Sequence, residues 1–296
     1  MRTGTRLAAY GAGLAVLFGS AFVIAGAVVP DRTVQSWKQA ADRQEMDHGG
    51  SEGAHVRGVA LEQDGYVMSP VSAPDGVGPA GRLSFRISGP DGHPLTEFET
   101  SHEKKLHLIV VRSDGTRFRH VHPAMSADGT WSIPWTWPAA GSYRVFADFV
   151  PASGQNVTLT RSVDIAGTFD QQAPTRTSTR ASVDGFDVTL TGDLHVGAES
   201  PLTVEITRNG TPVTTVQPYL GAFGHLVALR DGDLAYLHVH PDGDEPSAGD
   251  LSGPRIRFTT EAPTPGRYLL YLDFRVDGVV HTAPFVVDTP DETSGA

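Results

Sequence analysis

The sequence predicts an all-β body of two tandem β-sandwich domains behind an N-terminal transmembrane helix, and three observations carry that expectation. From Val56 onward, apolar and polar residues alternate over short segments broken by Gly, Pro, Asp and Asn, with no sustained helical period; this is the pattern of strands joined by turns. The pattern is then repeated, segment for segment, in the second half of the chain. Ahead of both copies lies an uncharged apolar run.

That run, "LAAYGAGLAVLFGSAFVIAGAVV", covers Leu7 to Val29 and follows Arg2 and Arg6. A helix of about 20 apolar residues spans a bilayer, and positive residues on its leading side hold that side in the cytoplasm. A cleaved signal peptide is the other reading, because Ala25-Gly26-Ala27 offers small residues at a cleavage site; the run is longer than the roughly 7–15 residues of an ordinary signal core. Either way the body is exported, anchored to the cell membrane in the first case and secreted in the second. Residues 1–30 are therefore the expected signal-anchor and 31–55 a spacer. Within the spacer, "DRTVQSWKQAADRQEMD" places Val34, Trp37 and Ala41 on one side of a short helix, and the glycine-rich "MDHGGSEGAH" is a flexible tether. Met46, His48 and His55 in it are either loose metal-capturing groups or incidental residues of a solvated segment.

Next come the strands. "RLSFRIS", "KLHLIVV", "TRFRHVH", "GSYRVFADF" and "NVTLTRSVDI" read as strands, and "PDG" and "SDG" as turns between them. "LSFRISGPDGHPL" from Leu83 parallels "LTVEITRNGTPV" from Leu202, and "GSYRVFADF" from Gly141 parallels "GRYLLYLDF" from Gly266. The main length difference is an insertion, "DGDEPSAGDLSG", in the second copy. The domains are expected at 56–167 and 181–289, with a connector at 168–180 and a disordered tail at 290–296. About seven or eight short strands in roughly 110 residues per copy suit an immunoglobulin-like sandwich. Trp131, Trp135 and Trp137 have no counterparts in the second copy and are expected to pack.

Composition excludes several function classes. The formal charge of −11 comes without a basic stripe, so a nucleic-acid partner is not expected. With no cysteine in the chain, disulfides, thiolate zinc sites, iron–sulfur clusters and a lipobox anchor are ruled out.

The histidines are the candidate chemistry. "HLIVVRSDGTRFRHVHP" (His107–Pro123) and "HLVALRDGDLAYLHVHP" (His225–Pro241) share one layout. Strand side chains alternate faces, so His120 and His122 point the same way, as do His238 and His240. If Asp114-Gly115 is a two-residue loop, His107 lies opposite His122; one residue back, it lies opposite His120. Either register gathers three imidazoles, because directly opposed Cβ atoms are about 4.5–5.5 Å apart and metal–nitrogen bonds about 2.0–2.1 Å. The expected metal ligands are thus His107, His120 and His122 in one domain and His225, His238 and His240 in the other. Asp148 and Asp273, from the repeated G-x-Y-x-x-x-x-D-F, are a fourth ligand each, or else tie down a strand end or orient an imidazole by hydrogen bonding to it. A surface or hydrogen-bonded His-x-His pair is the alternative without metal. His102 and His281 either complete these sites or are exposed strand residues, His93 and His195 are loop residues, and Met125 packs or gives a weak axial sulfur. Imidazole donors and the affinity order favour copper, with zinc second.

The quoted segments, with "DGTWSIPW" between them, resemble a group of actinobacterial secreted or membrane-anchored proteins with tandem His-x-His-Pro β-sandwich repeats, and the resemblance covers most of Val56 to Asp288. It implies two sandwiches, an exported body and a role in heavy-metal handling. "HVHPDGDE" is also similar to a segment of copper/zinc superoxide dismutases, which maps copper ligation onto His238 and His240, but the cysteine pair and zinc loop of that family are missing. Three functions remain open: a noncatalytic copper-binding protein that sequesters the ion or passes it to an exporter or cuproenzyme, a metalloenzyme using an open coordination position, and a metal-free interaction module.

Overall fold

A computed structural model describes residues 58–290 except Ser153, His238 and Ala248. The expected anchor, the spacer with Met46, His48 and His55, and residues 291–296 of the expected tail lie outside the described residues. The described body is all strand and turn, with no helix.

The first repeat contributes β1 (Glu62–Gln63), β2 (Tyr66–Met68), β3 (Gly81–Ser88), β4 (His107–Arg112), β5 (Arg119–Val121), β6 (Ala124–Met125), β7 (Thr130–Trp135), β8 (Gly141–Phe149) and β9 (Val157–Ile165). The second contributes β10 (Arg180–Val183), β11 (Phe186–Thr191), β12 (Glu199–Arg208), β13 (Thr211–Pro212), β14 (His225–Arg230), β15 (Tyr236–Leu237), β16 (Val239–Pro241), β17 (Arg255–Glu261), β18 (Arg267–Val276) and β19 (Val279–Asp288). Each repeat is a sandwich of two antiparallel sheets. The first pairs β1-β2-β3-β7-β6 with β5-β4-β8-β9, and the second pairs β10-β11-β12-β17-β16 with β15-β14-β18-β19, β13 lying on β12. In both, the chain crosses between sheets three times, at β3–β4, β5–β6 and β7–β8 in the first and at β13–β14, β15–β16 and β17–β18 in the second, as an immunoglobulin-like sandwich does. Tyrosine corners reinforce the likeness: the Tyr143 hydroxyl donates to Ala139 O at 2.8 Å and the Tyr268 hydroxyl to Thr264 O at 2.7 Å.

Alternation places Leu83, Phe85 and Ile87 of β3 in the first core, against Leu108, Val110, Val145 and Ala147. Trp131, Trp135 and Trp137 are at most 3% exposed there, so they pack as expected. Leu202, Val204, Leu226, Ala228, Leu270 and Leu272 do the same in the second core.

β4 is buried along its whole length, unlike the half-exposed β3. Its other face, Ile109 and Val111, joins Phe146, Val227, Leu229, Leu269 and Tyr271 in a third apolar cluster between the repeats. The sheets bearing β4–β8 and β14–β18 are therefore pressed face to face. Phe118 stacks on Tyr271 with centroids 4.0 Å apart, and Tyr236 lies on Phe146 at 5.9 Å. Removing a side chain of this kind from water contributes about 1.5–3 kcal/mol. This cluster is the floor on which the histidines stand.

The "SDG" hairpin differs from expectation by one residue. Arg112 N donates to Thr116 O, with Gly115 at φ 77° supplying the left-handed turn position. The loop is thus one residue longer than Asp114-Gly115 alone. Arg117, at φ 58°, acts as a bulge that takes up the extra residue. The ladder beyond it pairs Leu108 with Val121 and Ile109 with His120, so the next step brings His122 level with His107.

A candidate metal centre at the seam between the repeats

His107 opens β4 on the same face as Ile109 and Val111, at one end of the apolar seam. From β5, His120 reaches the same face, and His122 follows two residues later. The three rings meet: His107 Nδ1 lies 3.0 Å from His120 Nε2 and 3.2 Å from His122 Nε2. One ligand atom from each falls within 4.8 Å of the others. Imidazoles sharing a tetrahedral ion at bonds of about 2.0–2.1 Å have donor nitrogens about 3.3 Å apart and ring centroids about 5.2 Å apart. The observed centroid separations are 5.2, 4.9 and 5.0 Å.

Hydrogen bonding behind the rings decides where the lone pairs point. His107 Nε2 donates to Ser101 O at 3.1 Å, since a carbonyl can only accept. That carbonyl belongs to a tight turn in which His102 and Glu103 have φ of 49° and 62°. His120 Nδ1 donates to Asp273 Oδ2 at 2.9 Å, and both side chains are 3% exposed. In neutral rings, His107 Nδ1 and His120 Nε2 therefore face each other as lone pairs with no proton between them. His122 Nε2 completes the triangle. A cation lying between the facing lone pairs of His107 and His120 relieves their repulsion.

Burial also keeps His107 and His122 neutral. It pulls His107 down to about 2, assisted by the charge that His120 can carry, against the opposing bond to Ser101 O. Burial, with His120 and Lys104 adding to it, takes His122 to about 3. Neutral imidazole is the form that ligates a metal.

The second repeat contributes differently. Asp273 pairs with His225 across β14 and β18, as Asp148 pairs with His107 across β4 and β8. Yet the Asp273 carboxylate, set against the second triplet by sequence, hydrogen-bonds the first repeat's His120, because the faces carrying these residues are pressed together. Thr282 Oγ1 donates to its other oxygen at 2.5 Å. Asp148 Oδ1 accepts from Thr158 Oγ1 at 2.7 Å and Asn156 Nδ2 at 3.2 Å, and Asp148 is not one of the groups that meet at the three rings. His225 Nε2 donates to Leu220 O at 2.9 Å, in the turn equivalent to that of Ser101. Burial, then the charge His120 can carry, lowers His225 to about 4. Past Leu237 the chain leaves β14 for the opposite sheet, where His240 pairs with Thr259 and is exposed. His238 lies outside the described residues. Among the described residues, His107, His120 and His122 are the group that meets at metal-ligand distance.

His102, exposed at its turn, stands beside His225 with centroids 5.1 Å apart, and Tyr219 is 6.1 Å from His225. The reading of His281 as an exposed strand residue does not hold. It is 7% exposed, packed on Phe186 and Phe274, and its Nδ1 donates to Asp184 Oδ2 at 2.8 Å. A polar ring was buried here because one carboxylate satisfied it. Met125 packs against the first core, and His93 and His195 are exposed.

Fold and site together define a two-repeat immunoglobulin-like β-sandwich protein with a histidine cluster at the seam between its repeats. The chain belongs to the family described as domain of unknown function (DUF8832), whose model matches residues 61–167 and again 181–291. No curated protein matches it. Among solved structures, it is similar to invasin, a bacterial integrin-binding protein (14% identity, 77% of this chain and 39% of that one, TM-score 0.23). It is also similar to the adhesin InvE of Yersinia pseudotuberculosis (10% identity, 81% and 61%, TM-score 0.22) and to domains 4 and 5 of the S-layer protein SbsC (13% identity, 71% and 83%, TM-score 0.22). The chain spans 39% of the invasin chain and 61% of the InvE chain. Likenesses of this size carry no argument about what the chain binds.

Proposed function

We propose that this protein is a noncatalytic metal-binding protein of the cell exterior, which holds a transition-metal ion at His107, His120 and His122 for sequestration or for transfer to an exporter or cuproenzyme. The observation that carries the reading is the convergence of three ring nitrogens, His107 Nδ1 with His120 Nε2 at 3.0 Å and His122 Nε2 at 3.2 Å. Asp273 acts as the positioning residue that fixes the His120 tautomer, a role carboxylates commonly take behind metal-bound histidine. Three nitrogen donors suit Cu(II) first and Zn(II) second, following the affinity order for such sites. The apolar run at Leu7–Val29 supports placing the body outside the cytoplasmic membrane, on a single-pass anchor.

The test is titration of the full chain with Cu(II) and Zn(II) beside a His107→Ala, His120→Ala, His122→Ala variant. Tight uptake by the parent and its loss in the variant is the expected result. Equal uptake by both proteins defeats the assignment.

A further inference from the structure

The three-ring group does not use up the imidazoles at the seam. His102 and His225, one from each repeat, stand with centroids 5.1 Å apart. That is the spacing of the rings in the first group, 4.9–5.2 Å, and of two imidazoles on one tetrahedral ion, about 5.2 Å. Cross-pairs between the two sets are wider: 6.1 Å for His102–His107, 6.2 Å for His120–His225 and 6.3 Å for His107–His225. One measure thus separates five rings into a triplet and a pair.

The pair is prepared as the triplet is. His225 Nε2 donates to Leu220 O, so in the neutral ring Nδ1 carries the lone pair, as it does in His107. The turn holding that carbonyl matches the first repeat's: Tyr219 bridges Ala222 as Ser101 bridges Lys104, with left-handed Leu220 and Gly221 in place of His102 and Glu103. His102 itself therefore stands at the tip of the turn that anchors His107. Glu245 Oε1 lies 2.9 Å from where a Cβ on Gly221 would sit, beside that turn, and its charge acts on His102. Glu245 belongs to the insertion that the second repeat alone carries. The charges of Asp148, His240 and Glu245 all act on His102.

We propose that a second metal ion binds across the seam, held by His102 of the first repeat and His225 of the second, with water filling its remaining positions. This rests on the reading of His107, His120 and His122 as the first site. The ion joins the two repeats directly. With two imidazoles where the first site has three, its affinity is the weaker of the two.

The test is Cu(II) titration of the full chain, followed by frozen-solution electron paramagnetic resonance. The parent should take two ions in order of affinity, and the doubly loaded form should show dipolar broadening and a half-field signal. H102N, which keeps a residue tolerant of the left-handed turn, and H225Q should each take one ion and give an isolated-copper spectrum. The triple variant of the first site should keep the weaker ion. One ion in the parent, lost only with His107, His120 and His122, overturns the second site and leaves the first standing. No tight ion in the parent removes both. Two ions in the parent that survive H102N and H225Q, or a second ion lost with His48→Ala and His55→Ala in the tether, also overturns the assignment.

Discussion

Asp273 comes from the second repeat, yet it holds a ligand of the first. Asp273 is buried, and its carboxylate accepts from His120 Nδ1 at 2.9 Å and from Thr282 Oγ1 at 2.5 Å. In an Asp273→Asn variant the amide oxygen can still accept from Nδ1, while the amide nitrogen turns to the Thr282 hydroxyl, which rotates to accept. The tautomer survives and the charge is lost. A hydrogen bond to a charged group is worth about 1.5–3 kcal/mol and a neutral one about 0.5–1.5 kcal/mol. The difference, about 1–1.5 kcal/mol, weakens metal binding roughly 5–10-fold, near the lower end of the 10–100-fold seen for such outer partners. Asp273→Ala removes the acceptor altogether and frees His120 to take the other tautomer, so the loss should approach about 100-fold. Competition against a chromophoric chelator at neutral pH measures both variants, for Zn(II) and Cu(II), with metal-free unfolding curves run in parallel to separate affinity from fold. Affinities within twofold of the parent in both variants would refute the positioning role and the cross-repeat reading with it.

Acid should destabilise the metal-free protein. His107, His122 and His225 are held neutral in the fold at values of about 2, 3 and 4, against 6.5 ordinarily. Below pH 6.5 the unfolded chain takes up protons that the folded one refuses, so their stabilisation is complete above 6.5 and is lost progressively as pH falls toward those folded values. Each contributes up to about 1.4 kcal/mol per pH unit before solvent screening; urea unfolding followed by tryptophan fluorescence at pH 7, 6 and 5 checks this, and a flat profile contradicts it. The two repeats share an Arg–Asp pair at the same hairpin, but Arg112 and Asp114 are 2% and 1% exposed whereas Arg230 and Asp233 are 20% and 43% exposed. Burial pushes the Asp114 carboxyl up, and Arg112 with the donors of Gln172 and Thr116 outweighs it, holding the group at about 2. Arg112→Ala should therefore cost about 3–5 kcal/mol and Arg230→Ala about 1 kcal/mol or less, read as denaturation midpoints; equal losses would contradict the burial argument. Gly115→Ala places a methyl 2.4 Å from Leu269 Cδ1 at φ 77°, so thermal melting should show a loss of at least about 1 kcal/mol.

The residues by themselves determined the all-β class, the duplication and the gathering of His107, His120 and His122, because strand alternation and hairpin register are local properties written in two-residue and turn-length periods. Even the extra loop residue left His122 level with His107, since the Arg117 bulge took it up. The unbroken apolar runs "HLIVV" and "HLVAL" also carried a signal, because a strand that is apolar on both faces is covered on both. No local period says what covers the second face. Packing of the two sheets against each other decided that, and with it that Asp273 holds the other repeat's His120 and that His102 stands beside His225. These are contacts between residues far apart in the chain, made when apolar faces leave water together, and sequence spacing does not encode them.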